Sequence, residues 1–501
     1  MDRFRRTRHN TTKFRPTAAG RAFRALVFTG LITAPLCAQL SRGPAEPLAG
    51  KDDPRSDKDR IEALERKIAE LDERLRIAEL RAGISTPSPQ PTAEPSGSPP
   101  KQQATVDAAD LKGTVASVSA DQSGFTIKSN DGNYLLKIGA DLQVDLRTFT
   151  GEGSTSLVDQ MLLRRVRPTF SGTVYKFVDY YFRPDFGQGT TLIYDAYVQL
   201  NYFPRFQIRA GKFKPPVGLE RLQSDDDTNF IERGLPTLLV PSRDIGFQIS
   251  GDLVKQRVAY QAGVFNGVPD NGLSDASATG HRTYAARIFL TPFSSGGESP
   301  LSGLGFGIAA LGGSVDNLAL PAYKTAGQNT FFTFNAGVTS AGHRTSFAPQ
   351  AYYYVGPFGL MTEYTITEEG FQKGGERHNV ALRAWQAGAT YILTGEKKGY
   401  NGVMPRRPFM PFQHGWGAWE LGVRTGDFLA EKGLFNYGLA DPTKSPRGAR
   451  EWMGGVNWYL NRLVRMSLDY GHTNFAGGGG AVTADRAAER VILARFQINF
   501  I

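Results

Sequence analysis

From about residue 113 to residue 501, apolar and polar residues alternate in short runs separated by Gly, Asn, Asp and Pro. In Leu142-Gln143-Val144-Asp145-Leu146-Arg147, one face is aliphatic and the other polar. The same period of two sets Tyr194, Ala196, Val198, Leu200 and Tyr202 against Asp195, Tyr197, Gln199 and Asn201. It also sets Val464, Met466, Leu468 and Tyr470 against Arg465, Ser467 and Asp469, and Ile492, Ala494, Phe496, Ile498 and Phe500 against Arg495, Gln497 and Asn499. Successive side chains of a strand point to opposite faces, so these runs predict strands with one apolar and one wet face. A soluble sandwich and a membrane barrel share that alternation. Three features favour the barrel. Arg and Asp stand in mid-strand, and aromatic residues recur near strand ends (Tyr175, Phe177, Tyr202, Phe203, Trp452, Trp458, Tyr459). The array is also long and follows an apolar leader without an intervening membrane helix. Alternating segments number sixteen or seventeen, and bacterial barrels have even strand counts. The expected fold is all-β: a transmembrane antiparallel β-barrel of about 16 strands over residues 113–501, preceded by a short N-terminal coiled-coil helix.

Helical periodicity is confined to residues 51–82. Ile61, Leu64, Ile68, Leu71, Leu75 and Ala78 follow one another in steps of three and four, the seam of a coiled coil. With Ile61 at a, the e positions are Glu65, Asp72 and Glu79, and the g positions are Lys67, Arg74 and Arg81. Parallel copies pair Lys67 with Asp72 and Arg74 with Glu79, whereas antiparallel copies oppose like charges. An amphipathic helix lying on its own protein is the alternative. Residues 83–104 hold Pro87, Pro89, Pro91, Pro95, Pro99 and Pro100 among Ser and Thr, a semi-rigid spacer without a core.

Charge changes the picture only at the start. The formal net charge is +10, but residues 1–40 carry eight Lys/Arg and one acid, leaving 50 basic and 47 acidic side chains after them. That near balance gives no reason to expect nucleic acid as a partner. Basic residues followed by the apolar run from 25 to 40 read as a secretory signal peptide over residues 1–40. Cys37 is the only cysteine, so removal of the leader before Ser41 leaves neither disulfide nor thiol chemistry. His281, His343, His378, His414 and His472 lack paired metal-ligand spacing, and Gly477 to Gly480 is not followed by Lys-Ser/Thr as in a phosphate loop. Asp225, Asp226 and Asp227 are consecutive, not alternating as in a calcium loop. They read as an acidic loop, solvated or paired with Arg221 or Arg233. No enzyme, cofactor or metal site is expected.

Over about its last 390 residues the chain resembles the phosphate-selective porin O and P family. The resemblance rests on Leu163-Arg164-Arg165-Val166-Arg167, residues 180–187, Asp195-Ala196-Tyr197-Val198, residues 210–220, and Phe230-Ile231-Glu232-Arg233. It continues through residues 390–396, Gly417-Ala418-Trp419-Glu420-Leu421 and Gly455-Val456-Asn457-Trp458-Tyr459. It implies a homotrimer of sixteen-stranded outer-membrane barrels, each with a third loop folded inward to narrow the pore. Arg221 matches the positive residue after Gly-Leu-Glu in that loop. The family's arginine-rich segment is not matched: residues 313–345 offer only Lys324 and Arg344, which implies modest discrimination between chloride and phosphate.

Parity sends Arg147, Arg165, Arg167, Arg183, Arg209, Arg287, Arg424, Arg465 and Arg495 to the lumen, against Asp145, Asp179, Asp185, Asp195, Glu420 and Asp469. Such charges neutralise one another in pairs, and the cationic surplus acts where the pore narrows. The expected constriction holds Arg165, Arg167, Lys212, Lys214, Arg221 and Arg233. The expected function is passive diffusion across the bacterial outer membrane with a preference for small anions, phosphate foremost. Outer-membrane lipid surrounds the barrel, and the coil lies in the periplasm within reach of peptidoglycan. Two alternatives stand beside this reading: a general or carbohydrate-admitting porin, with Tyr181, Tyr197 and Trp416 facing the lumen, or a barrel that tethers the envelope.

Overall fold

The computed structural model describes residues 116–121, 124–151, 157–277, 279–294 and 299–500. The chain divides into two units, residues 1–103 and 104–501, and the described residues belong to the second. The leader, coil and spacer expected over 1–40, 51–82 and 83–104 lie outside the described residues.

A hairpin of β1 (Ser117–Asp121) and β2 (Gly124–Lys128) pairs onto the first half of β3 (Tyr134–Phe149). From β3 an antiparallel ring runs through β4 (Gln160–Val174), β5 (Val178–Asp185), β6 (Leu192–Phe203), β7 (Phe206–Phe213), β8 (Asp244–Leu253), β9 (Val258–Phe265), β10 (Thr283–Leu290) and β11 (Leu304–Ser314). A small separate hairpin, β12 (Tyr323–Lys324) and β13 (Thr330–Phe332), interrupts it. The ring resumes with β14 (Thr339–Val355), β15 (Phe358–Lys373), β16 (Glu376–Ile392), β17 (Ala418–Ala430), β18 (Gly448–Tyr459), β19 (Val464–Ala476) and β20 (Glu489–Phe500). β20 then pairs back onto β3, with Arg495 opposite Asp145, so sixteen strands close a barrel. Closure leaves no open edge in the ring.

Burial is inverted relative to a soluble domain. On β3, Leu142, Val144 and Leu146 are 37–39% exposed, whereas Asp141, Gln143, Asp145 and Arg147 are at most 4% exposed. The same inversion holds on β19, where Arg465, Ser467 and Asp469 are buried and Met466, Leu468 and Tyr470 exposed. Apolar residues outside and charges inside are what a lipid-facing wall around a polar interior requires. Among the strand-end aromatics, Tyr459 departs from the expected girdle. It is buried, and its hydroxyl donates to Glu420 Oε2 at 2.7 Å inside the barrel.

At one end of the barrel several connections are short (175–177, 204–205, 254–257, 356–357 and 460–463), and at the other most are long. Residues 214–243, between β7 and β8, fold inward. So do residues 315–338: Tyr323, Phe331 and Phe332 pack with Leu235, Leu239, Phe371, Val380, Leu382 and Phe428 in an apolar core inside the ring. The inner faces of β15, β16 and β17 are therefore wet for only part of their length. From the short-turn end, residues 393–417 also reach inward, where Tyr400 Oη donates to the Leu219 carbonyl at 2.6 Å.

Candidate functional site

The site is built around the inward loop 214–243. Gly218 takes φ +81°, open to glycine without strain, and turns the chain into a one-turn helix, α1 (Leu219–Leu222). The Leu219 amide donates to Glu363 Oε2 on β15 at 2.6 Å. Glu220 accepts from the Gly234 amide at 2.8 Å and lies 3.4 Å from Arg424, tying both ends of the loop to the wall.

Arginines of the wall meet carboxylates of this loop. Arg165 and Arg167 both approach Asp225, and Arg183 Nη2 donates to Asp226 at 3.4 Å. Arg147 and Arg164 hold Glu232 at 3.3 and 2.9 Å. Arg164 was not expected in the lumen. The pairing of β3 with β4 shifts between Gln143 and Val144, leaving Arg164 without a partner across the ladder, and this bulge turns it inward beside Arg165. Tyr194 is a second departure from simple parity. The β5–β6 register shifts between Arg183 and Pro184, and the Tyr194 ring lies inside, under Arg167 at 3.6 Å and Arg243 at 3.8 Å.

The other lumenal arginines lie as parity placed them. Arg495 donates two bonds of 2.7 and 2.8 Å to Asp145. Arg424 donates to Glu451 at 2.9 Å, and Arg465 to the Thr228 carbonyl at 2.9 Å. Arg209 lies over the Tyr197 ring at 4.3 Å, and Arg287 donates to Gln350 at 3.1 Å.

Of the six residues expected at the constriction, Arg165, Arg167 and Arg233 converge on one carboxylate, that of Asp225. Asp225 and Asp226 of the acidic run are thus paired, Asp225 with Arg233 of the same loop, whereas Asp227 borders solvent space. Arg221 stands apart: it is 5% exposed and donates to the Thr237 carbonyl at 2.6 Å and Asn271 Oδ1 at 2.5 Å. Lys212 bonds the Ile193 carbonyl and Asp275, and Lys214 bonds the Leu222 and Gln223 carbonyls. Burial, reinforced by the nearby Arg243 charge, pushes the Lys214 ammonium well below the usual lysine range. Burial also brings Arg221 down to about 10, with Arg233 adding to the shift, and Arg221 keeps its charge at neutral pH. For Asp225 burial opposes ionisation, but Arg233, Arg165 and Arg167 outweigh it and hold the carboxyl well below its usual range. Asp227 goes the other way: burial, then the Asp226 charge, raises it to about 6.

Solvent space remains beside the loop. A cavity of about 770 Å³ is bordered by Arg183, Lys397, Lys398, Arg462 and Arg465, against the carboxylates of Asp226 and Asp227. A smaller one of about 230 Å³ is lined by Lys137, Asp179, Gln199, Arg209 and the stacked pair Tyr181 and Tyr197, 5.3 Å apart at 10°. Trp416 does not join them. It is 69% exposed, and its carbonyl accepts from Trp458 Nε1 at 2.8 Å. Among the described residues, no cluster of His, Cys, Asp and Glu has the arrangement of a metal site.

The sequence pattern of phosphate-selective porin O and P matches residues 136–500. Porin O of Pseudomonas aeruginosa is 24% identical over 404 residues, which span 73% of this chain and 90% of that protein. Among solved structures, the outer membrane channel DcaP of Acinetobacter baumannii is similar at 11% identity, covering 74% of this chain and 99% of that one (TM-score 0.47). An anion-selective porin from Comamonas acidovorans is similar at 9% identity, covering 73% and 100% (TM-score 0.48).

Proposed function

Because this chain belongs to the phosphate-selective porin O and P family, we propose that it is a passive outer-membrane channel preferring small anions, with phosphate the foremost solute. The observation that carries the reading is the larger cavity, bordered by five Lys or Arg side chains and two carboxylates. Fixed cations around confined water concentrate anions and repel cations, an effect screened over about 8 Å at physiological salt. Most wall arginines are already paired, so the surplus is small and spread along the path. Solutes then bind weakly enough to leave. The protein works as a homotrimer, with the N-terminal coil in the periplasm and peptidoglycan within its reach.

The test is the reversal potential of the purified full-length protein in a planar bilayer under a salt gradient. Anion selectivity is expected, and Arg465→Gln at the cavity wall should lower the anion-to-cation permeability ratio. Cation-selective wild-type currents would refute the reading. One observation favours a second, carbohydrate-admitting function: the stacked Tyr181 and Tyr197 beside Gln199 offer an aromatic platform with polar neighbours. Chloride current blocked by sugars but not by phosphate would select it.

A further inference from the structure

At the end with the long connections, the outward face of β16 to β20 passes from apolar to charged within one step of each strand. Arg383 stands above the exposed Trp385 on β16, Arg450 above Trp452 on β18, His472 above Tyr470 on β19, and Arg490 above Ile492 on β20. The register keeps them at outward parity: Trp452 pairs with His472 and His472 with Arg490, while Glu451, Thr473 and Glu489 between them are buried inside. Aromatic and aliphatic residues meeting charge at one level mark where hydrocarbon gives way to headgroups, and in such barrels the long loops lie on the outer-leaflet side. The charge is one-sided. β15 to β20 set Arg377, Arg383, Arg450 and Arg490 outside against Glu368 and Asp427, whereas the corresponding ends of β8 to β11 offer Ile245, Val264, Tyr284 and Gly312.

Two slots separate the arginines of β16, β18 and β20. The slot on β17 is filled: Arg450 Nε and Nη2 donate to Asp427 Oδ2 at 3.0 and 2.8 Å. The slot on β19 carries His472 and Asn474 in place of an acid, with His472 Nε2 3.1 Å from Asn474 Oδ1. Arg490 faces His472 across the ladder and Arg450 faces Asn474, so the two arginines flank this slot at about 10 Å, two strand spacings. Side chains of that length reach one oxyanion between them, and guanidinium forks match phosphate oxygens. We propose that Arg450, His472 and Arg490, above Trp452 and Tyr470, hold the phosphate of an outer-leaflet lipid headgroup against the barrel. The aromatic floor points to a lipid as the source of the phosphate. Trp452 and Tyr470 are 56% and 47% exposed on the lipid-facing side, where acyl chains anchor a headgroup phosphate at high effective concentration. The inference needs only a barrel seated in the outer membrane and is independent of anion preference in the lumen.

The experiment is binding of diphosphoryl lipid A to the purified full-length protein in detergent, read by native mass spectrometry, with the same lipid stripped of its phosphates for comparison. Wild type should hold the phosphorylated lipid at least about tenfold more tightly than the stripped one. Arg450→Gln/Arg490→Gln should raise the dissociation constant of the phosphorylated lipid by about tenfold and leave that of the stripped lipid within about twofold. Arg282→Gln, which removes an exposed arginine of the β9–β10 connection, should bind as wild type does. Both slot arginines face away from the lumen, so the double variant should keep wild-type single-channel conductance, which also reports an assembled barrel. Should it not assemble, Arg490→Gln alone should weaken binding of the phosphorylated lipid by about threefold or more. Equal retention of the two lipids by wild type overturns the proposal, as does an assembled double variant that binds the phosphorylated lipid like wild type. Displacement of the lipid by equimolar inorganic phosphate would assign the slot to a free anion and overturn it too. A double variant whose oligomer weakens in sedimentation while lipid binding is unchanged would instead assign this face to a second copy of the chain.

Discussion

Glu232 ties the inward loop to three arginines of the barrel wall, so Glu232→Gln is an informative perturbation of the loop. Its Oε1 lies 2.9 Å from Arg164 Nε and 3.3 Å from Arg147 Nη2, its Oε2 accepts from Arg164 Nη2 at 3.2 Å, and Arg495 Nη2 is 4.0 Å away. Glutamine keeps one acceptor but loses the charge and the second oxygen. Hydrogen bonds to charged groups contribute about 1.5–3 kcal/mol each. Losing two such bonds gives about 3–6 kcal/mol, and stripping a buried pair of one partner narrows this to about 3–5 kcal/mol. At 1.4 kcal/mol per decade, the ratio of seated to unseated loop falls by about two to three and a half orders of magnitude. Single-channel recording should show new open-channel noise and larger steps, and trypsin should gain access to Arg221 and Arg233. Arg450→Gln is the control: Arg450 is 64% exposed and 2.8 Å from Asp427, an exposed pair that contributes less than about 1 kcal/mol. Unchanged conductance, noise and protease resistance in Glu232→Gln would show that the carboxylate does not hold the loop.

Asp227 gives a pH prediction. Because its folded value is raised to about 6, the loop is favoured while Asp227 is protonated, and that contribution is lost as pH rises through about 6. Its charge also borders the larger cavity, so anion preference should be stronger at pH 5 than at pH 7.5, and Asp227→Asn should flatten that change in reversal potential. Glu232 and Asp225, both held low, contribute above the usual carboxylate range and lose that contribution only as pH falls below about 4. Conductance noise should therefore rise again in strong acid, even in Asp227→Asn. If residues 51–82 pair as the parallel coiled coil expected from the sequence, reversing Lys67 and Arg74 to Glu sets acid against acid, and sedimentation should then show a weaker oligomer while single-channel conductance persists.

Strand periodicity was legible because a barrel wall between lipid and polar interior imposes a strict period of two, visible as Leu142 facing out and Asp141 facing in. The same rule failed locally at Arg164 and Tyr194. A bulge is a single extra residue, invisible in an alternating pattern, yet it exchanges the two faces and brings a further arginine to the lumen. The apolar core inside the ring was missed for a different reason. Phe371, Val380, Leu382 and Phe428 have the parity of lumenal residues, but their partners Tyr323, Phe331 and Phe332 arrive from a loop far along the chain. One signal was available: apolar residues at lumenal parity on the ends of β15, β16 and β17 mean that something other than water covers them.

Arg221 shows why cation counts along a pore mislead without the loop that meets them. Resemblance and charge placed it in the constriction, and the fold seats its guanidinium on the Thr237 carbonyl and Asn271. The loop carries its own acids, Glu220, Asp225, Asp226 and Glu232, and each meets an arginine of the wall. Wall and loop are thus two halves of one ionic assembly. An arginine so engaged is worth little to a passing chloride, because its field is largely cancelled within the few ångströms over which selectivity acts. We propose that selectivity then falls to cations beside open water, such as Arg465 and Arg462. Arg165, Arg167 and Arg233 meet the Asp225 carboxylate and are engaged in this way, so their charge counts for less along the pore than their number does.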